Sequence, residues 1–127
     1  MNKQELVFAT GNKHKVGEVN TILEDTGYIC KPMEFFGITE DIPETGNTFH
    51  ENAAIKAKYL FNKLGIDCFA EDSGLEISAL NMAPGIFTAW FAGPHRDHDD
   101  NMNKVLSELE KAEDRSARFR AVIALCM

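Results

Sequence analysis

At 127 residues, 44% hydrophobic and 26% charged, the chain has the composition of an ordinary globular domain. That length buries roughly two thirds of the unfolded surface, and we expect residues 1–127 to form one domain. Twenty acidic against thirteen basic residues leave a net charge of −7. This excludes nonspecific binding to nucleic acid or to an acidic membrane, because no excess of cations exists to release counterions. A small anion remains possible if the few lysines are concentrated locally or a divalent metal is recruited.

Cys30, Cys68 and Cys126 are far apart and in no CxxC pattern, so we expect buried free thiols in a reducing compartment. The first residues reach an apolar strand too soon for a signal peptide, and no run is long enough to span a membrane. A cytoplasmic location is the expectation.

In chain order, Leu6–Ala9 reads as a buried strand, and Lys13–Leu23 as a helix burying Val16, Val19, Ile22 and Leu23 and stopped by Thr26-Gly27. Tyr28–Lys31 reads as a second strand, and residues 34–46 as a loop with a short extended piece. Thr48 and Glu51 form a capping box at the start of a second helix, whose stripe is Ala53, Ala57, Leu60, Phe61 and Leu64 and whose stop is Gly65. Asp67–Ala70 is strand-like, and Gly74 permits a turn into Leu75–Ile77. Residues 80–93 look irregular around the turn signal Ala83-Pro84-Gly85. A third helix over residues 99–111 is expected to bury Met102, Val105, Leu106 and Leu109. Ala117–Met127 reads as a strand that stops inside its own apolar run, so the chain is read as shorter than its natural length.

Chemistry concentrates in two places. The first is Thr10-Gly11-Asn12-Lys13-His14-Lys15, a turn that carries a strand onto a helix N-terminus. Exposed N–H groups and the helix dipole favour an anion there, lysines add full charges, and Thr10 and Asn12 add polar donors. Lys56, on the second helix away from Leu60 and Leu64, could reach the same place. The glycine spacings of a P-loop or a dinucleotide fold are absent. The bland alternative is that Thr10 or Asn12 merely caps the helix.

The second is acidic: Glu44 and Glu71-Asp72. Neighbouring strand residues face opposite ways, so only one of Glu71 and Asp72 can serve a given site. Asp72, beside Ser73-Gly74 at a strand's end, is the better placed. Mg²⁺ favours one or two carboxylates together with phosphate oxygens and water, and Glu44 with Asp72 fits that count. A functionless polar turn is the alternative. His95-Arg96-Asp97-His98 lacks a closed zinc spacing and reads as a solvated loop capping the third helix through Asp97 or Asp99. Trp90 and Phe91 read as core residues or, less simply, as a base-stacking platform. His14 and His50 read as surface or packing residues.

The segments FATGNKHKVGEV, ETGNTFHENAAIKAK and AEDSGLEISALNMAPGIFTAWFAG, in this order, closely resemble the inosine/xanthosine triphosphate pyrophosphatases. The resemblance implies a mixed α/β fold, a twisted sheet flanked by helices, with two lobes around a nucleotide cleft, usually as a homodimer. It implies Mg²⁺-dependent hydrolysis of non-canonical purine nucleoside triphosphates (ITP, dITP, XTP) to the monophosphate and pyrophosphate. By position, Thr10, Gly11, Asn12, Lys13, His14 and Lys15 match the substrate loop and Lys56 a substrate-binding lysine. Glu44 matches the first metal carboxylate, Asp72 the metal ligand and general base, and Ser73 a substrate contact. Where bacterial members commonly read SARYAG, this chain has Thr88-Ala89-Trp90-Phe91-Ala92-Gly93. The family's FGYDP-type and SHR segments have no counterpart in residues 1–127. Two other expectations stay open: a nucleotide-binding remnant without turnover, and a Maf-like pyrophosphatase of different base preference.

Overall fold

The computed structural model describes residues 2–127. The elements are β1 (Gln4–Phe8), α1 (Lys13–Leu23), β2 (Tyr28–Pro32), α2 (Phe49–Leu64), β3 (Cys68–Ile77), β4 (Ala83–Pro84), α3 (His98–Glu108) and β5 (Ala117–Cys126), with three short 3₁₀ turns between them. Strands pair in the order β2-β1-β3-β4, and β5 also pairs with β3. β1 runs parallel to β2 and to β3, and β4 runs antiparallel to β3. The sheet is therefore mixed, as expected. The chain divides into two compact units: one runs up to Glu71 and takes back Ile123–Met127, and the other is Asp72–Val122.

The first unit is a sheet with a helix on each face, and the alternation of β1 explains it. Val7 and Ala9 pack with Cys68 and Ala70 of β3 against Ala57 and Leu60 of α2. Phe8, pointing the other way, packs with Phe69 and Cys30 against Val16 of α1. The Phe8 and Phe69 rings stack with centroids 4.4 Å apart. Both faces of these strands are covered, which is why they read as continuous apolar runs. Ala124 and Cys126 of β5 pack against the α2-side cluster.

Each helix of this unit is closed by the local chemistry of its ends. Thr48 accepts from the Glu51 N–H at 3.0 Å, and the Glu51 carboxylate reaches back to the Asn47 N–H at 2.7 Å, one residue beyond the usual capping box. Gly65 ends α2 at φ +65°, where its N–H meets the Phe61 carbonyl at 2.8 Å. On α1 the expected stripe is corrected at Ile22, which is 78% exposed. Asn20 instead faces the sheet edge, where its amide exchanges two hydrogen bonds with the Cys30 backbone at 2.7 and 3.0 Å. Pro32 ends β2, whose place on the rim of the sheet tolerates the missing donor. Residues 34–46 open on a 3₁₀ turn over Met33–Phe36 rather than holding an extended piece, and they bury Ile38 and Ile42.

The thiols of Cys30 and Cys68 are buried, and burial pushes each up to about 11; Cys126 is half-buried.

In the second unit the expected turn at Gly74 does not form. β3 is one continuous ten-residue strand through Glu71-Asp72-Ser73-Gly74, and both β4 and β5 pair with it; on the β4 side Glu76 lies opposite Pro84 and Ile77 opposite Ala83. Residues 80–93 are likewise ordered, as β4 followed by a 3₁₀ turn over Gly85–Trp90. Thr88 fixes that turn, donating to the Gly85 carbonyl at 2.6 Å and accepting from the Leu75 N–H at 2.9 Å. The carboxylate of buried Glu76 is met by Arg118 at 2.7 Å.

The third helix departs most from its apolar pattern. Of the four residues expected to be buried, only Leu109 is; Met102 and Leu106 are about half exposed. The helix is held by polar contacts instead. Asn101 accepts from the Ala92 N–H and donates to the Ala89 carbonyl, and Lys104 donates to the Phe91 carbonyl. Asp97 caps it by accepting from the Asp100 N–H at 2.9 Å, as expected.

Candidate active site

At the carboxyl end of β1 the chain turns through Thr10-Gly11-Asn12 into α1. Thr10 Oγ1 accepts from the Asn12 N–H at 3.1 Å, and Asn12 Oδ1 accepts from the N–H groups of His14 and Lys15 at 2.9 and 3.3 Å. Asn12 is therefore the N-cap, so the capping reading holds for its amide oxygen. Gly11 is exposed, and a Cβ there would meet nothing within 4 Å, so the local fold does not require a glycine.

The lysines of the turn part company. Lys13 lies 3.6 Å from the Glu34 carboxylate, with 82% of its side chain exposed. Lys15 turns towards β3, where its ammonium pairs with the carboxylate of Glu71, a side chain only 17% exposed. From α2, Lys56 reaches the same residue and donates to the Glu71 carbonyl at 2.7 Å. The same ammonium lies 2.7 Å from Glu44 Oε1. Lys15, Glu71, Lys56 and Glu44 thus form one continuous chain of charges, and Glu71 joins its halves through side chain and backbone.

Glu71, the neighbour of Asp72, is the residue of the pair that meets Lys15. Strand alternation by itself allows either residue of the pair to face a given site. Asp72 is buried in β3, and Ser73 is half-buried beside it. His14 lies exposed in the first turn of α1.

The loop that carries Glu44 is anchored by a second residue the sequence did not reveal. Asn52, 2% exposed in the first turns of α2, accepts from the Gly46 N–H at 2.8 Å. Gly46 is required here, since a Cβ would fall 2.6 Å from Glu51 Cβ and 2.8 Å from Asn52 Oδ1. Thr48, Glu51 and Asn52 together fix the chain just past Glu44.

The oxygens around the Lys56 ammonium are a carboxylate and a main-chain carbonyl, both hard donors already holding a cation at 2.7 Å. Hard oxygens are the kind Mg²⁺ takes, and two of them leave the remaining positions to phosphate oxygens and water. Among the described residues no group of three or more His, Cys, Asp or Glu side chains is placed to hold a metal ion. His95 lies 3.5 Å from Asp100 beside the α3 cap, in line with the solvated-loop reading. Trp90 is neither core nor bare: the Arg96 guanidinium sits 3.8 Å above its ring. Among the described residues no helix is long and apolar enough to cross a membrane.

A mixed sheet with helices on both faces makes this an α/β protein, with Lys15, Glu71, Lys56 and Glu44 gathered beside the α1 N-terminus. The Ham1 family model matches residues 6–127, and the chain belongs to that family. It is 46% identical over 121 residues to a dITP/XTP pyrophosphatase of Flavobacterium johnsoniae, covering 95% of this chain and 62% of the relative. It is 44% identical over 124 residues to a dITP/XTP pyrophosphatase of Bacillus subtilis, covering 96% and 63%. Among solved structures, a HAM1 protein from Coxiella burnetii matches with a TM-score of 0.89 at 42% identity, over 96% of this chain and 62% of that one. The Ham1 protein of Staphylococcus aureus matches with a TM-score of 0.87 at 35% identity, over 97% and 63%. The chain thus spans a little over three fifths of the length of the relatives it matches.

Proposed function

We propose that this chain carries the phosphate- and metal-binding part of a nucleoside-triphosphate pyrophosphatase, acting on non-canonical purine nucleotides such as ITP, dITP and XTP. The supporting observation is the chain of charges Lys15–Glu71–Lys56–Glu44 next to the α1 N-terminus. Lysines and helix N–H groups meet the phosphates, and carboxylates remain to hold a cation.

In this reading Lys15, Lys56 and the Thr10–Lys15 turn bind and orient the triphosphate, with Ser73 a further contact. Glu44 and Asp72 would hold Mg²⁺, which when bound neutralises phosphate charge and favours attack at phosphorus. Water attacks the α-phosphorus, the bond to the bridging oxygen breaks, and pyrophosphate leaves; Asp72 takes the water's proton. The products are the nucleoside monophosphate and pyrophosphate. A homodimer, a cytoplasmic location and independence of nucleic acid and membrane belong to the same reading.

Incubation with ITP, XTP, GTP and ATP, with and without Mg²⁺, followed by chromatography of the products, tests it. Pyrophosphate and monophosphate from ITP and XTP, only with metal, are expected. Release of orthophosphate alone would place the attack on another phosphorus and overturn the reading. Binding of ITP without any product would leave a nucleotide-binding protein without turnover.

A further inference from the structure

We infer that Glu71 is a positioning residue that cancels the charge of Lys15, so that the site accepts a triphosphate as its metal complex and discriminates against the bare polyanion. The inference rests on the proposed function and adds a residue to which that reading gives no role.

Lys15, Lys56, Glu44 and Glu71 contribute two ammonium groups and two carboxylates, a formal sum of zero. Neither pair is loosely held. Side-chain exposure is 43% and 17% for Lys15 and Glu71 and 15% and 34% for Lys56 and Glu44, so solvent screens these contacts less than it screens the open Lys13–Glu34 pair. A bare triphosphate arriving at this neutral cluster finds the partial charge of a helix end, about half a unit, and the exposed Lys13, whose own charge Glu34 offsets at 3.6 Å. With a divalent cation the balance changes, because a metal at Glu44 supplies the missing positive charge. Glu71 needs no displacement then, and its carboxylate keeps Lys15 turned towards β3.

Glutamine separates the two roles. Glu71→Gln retains an acceptor oxygen at the same reach for the Lys15 ammonium but removes the negative charge. The readout is the dissociation constant of α,β-imido-dITP, which is not cleaved at the proposed position, measured by calorimetry in EDTA and in Mg²⁺. For the original chain, binding in EDTA should be weaker than in Mg²⁺ by well over tenfold. In Glu71→Gln, metal-free affinity should rise at least tenfold while affinity in Mg²⁺ moves less than threefold. In a Lys15→Met background the same substitution should give no metal-free gain. A residue that merely supported the fold would weaken both measurements together, and an unchanged ratio between EDTA and Mg²⁺ would overturn the inference.

Should Glu71→Gln not fold, Glu71→Asn and Glu71→Asp, equal in length and different in charge, make the same comparison. Asn should bind the metal-free analogue about tenfold more tightly than Asp, and equal affinities would overturn the inference. Pyrophosphate release with Mg²⁺ alongside an unchanged ratio would sink this inference and leave the proposed function standing. Failure of every variant and of the original chain to bind the analogue, even with Mg²⁺, would sink both.

Discussion

The Lys56 ammonium lies 2.7 Å from a carboxylate oxygen of Glu44 and 2.7 Å from the main-chain carbonyl of Glu71. A helix, a loop and a strand thereby meet at one nitrogen. Lys56→Met keeps most of the apolar stem and removes the charge. Two charge-assisted contacts are lost, but Glu44 is about a third exposed and water compensates in part. The expected loss of stability is about 1 kcal/mol by chemical denaturation. Turnover of ITP should fall about a hundredfold, the scale seen when one donor to a reacting oxyanion is removed.

Asn52 gives the opposite pattern, a large structural effect from a residue that need not touch substrate. Its buried amide oxygen accepts from the Gly46 N–H, so Asn52→Leu leaves that donor unpaired. A loss of about 1–3 kcal/mol in denaturation midpoint experiments is expected. Gly46→Ala should cost a similar amount, because its Cβ would press on Glu51 Cβ and Asn52 Oδ1. Both variants should also weaken metal-dependent turnover, since the loop they loosen carries Glu44.

Gly11 and Gly46 look alike in sequence, each following a threonine, yet only Gly46 is needed by the fold. A Cβ on Gly11 would enter open space and its φ is unexceptional, so Gly11→Ala should change stability by less than about 0.5 kcal/mol. If the turn admits phosphate against its backbone, the same methyl should raise the KM for ITP several-fold with little change in melting temperature. Unchanged kinetics would mean that the phosphates do not approach the chain at Gly11.

The elements most legible in the sequence were those whose signals are local. Asn12 before α1, Thr48 with Glu51 before α2, and Gly65 after it mark helix ends by chemistry acting within one turn, and all three appear in the structure. The apolar runs at Val7-Phe8 and Cys68–Ala70 were equally plain, being covered on both faces. What the sequence concealed depended on distant partners. Ser73-Gly74 suggests a turn until β4 pairs with the strand beyond it. Met102 and Leu106 suggest a buried stripe, although Asn101 and Lys104 are what tie α3 down. Glu71 and Asp72 stand equal on alternation alone, and the choice between them as partner for Lys15 needs the path of α1 relative to β3.

Glu40 supplies a pH prediction away from the site. Its carboxylate accepts from Lys63 Nζ at 2.5 Å and from the Tyr59 hydroxyl at 2.7 Å, which joins the loop before Glu44 to the outer face of α2. The Lys63 hydrogen bond first, then that from Tyr59, lowers the Glu40 carboxyl from the ordinary 4.5 to about 2. Because the folded value lies below the unfolded one, folding favours the ionised form. Its contribution is fully present above pH 4.5 and disappears as pH falls towards 2. The stability difference between the original chain and Glu40→Gln, measured by urea denaturation at successive pH values, should be constant from pH 5 to 7 and vanish near pH 2. The group is exposed, so added salt should shrink the plateau. A difference that stays constant down to pH 2 would show that glutamine loses packing there rather than charge.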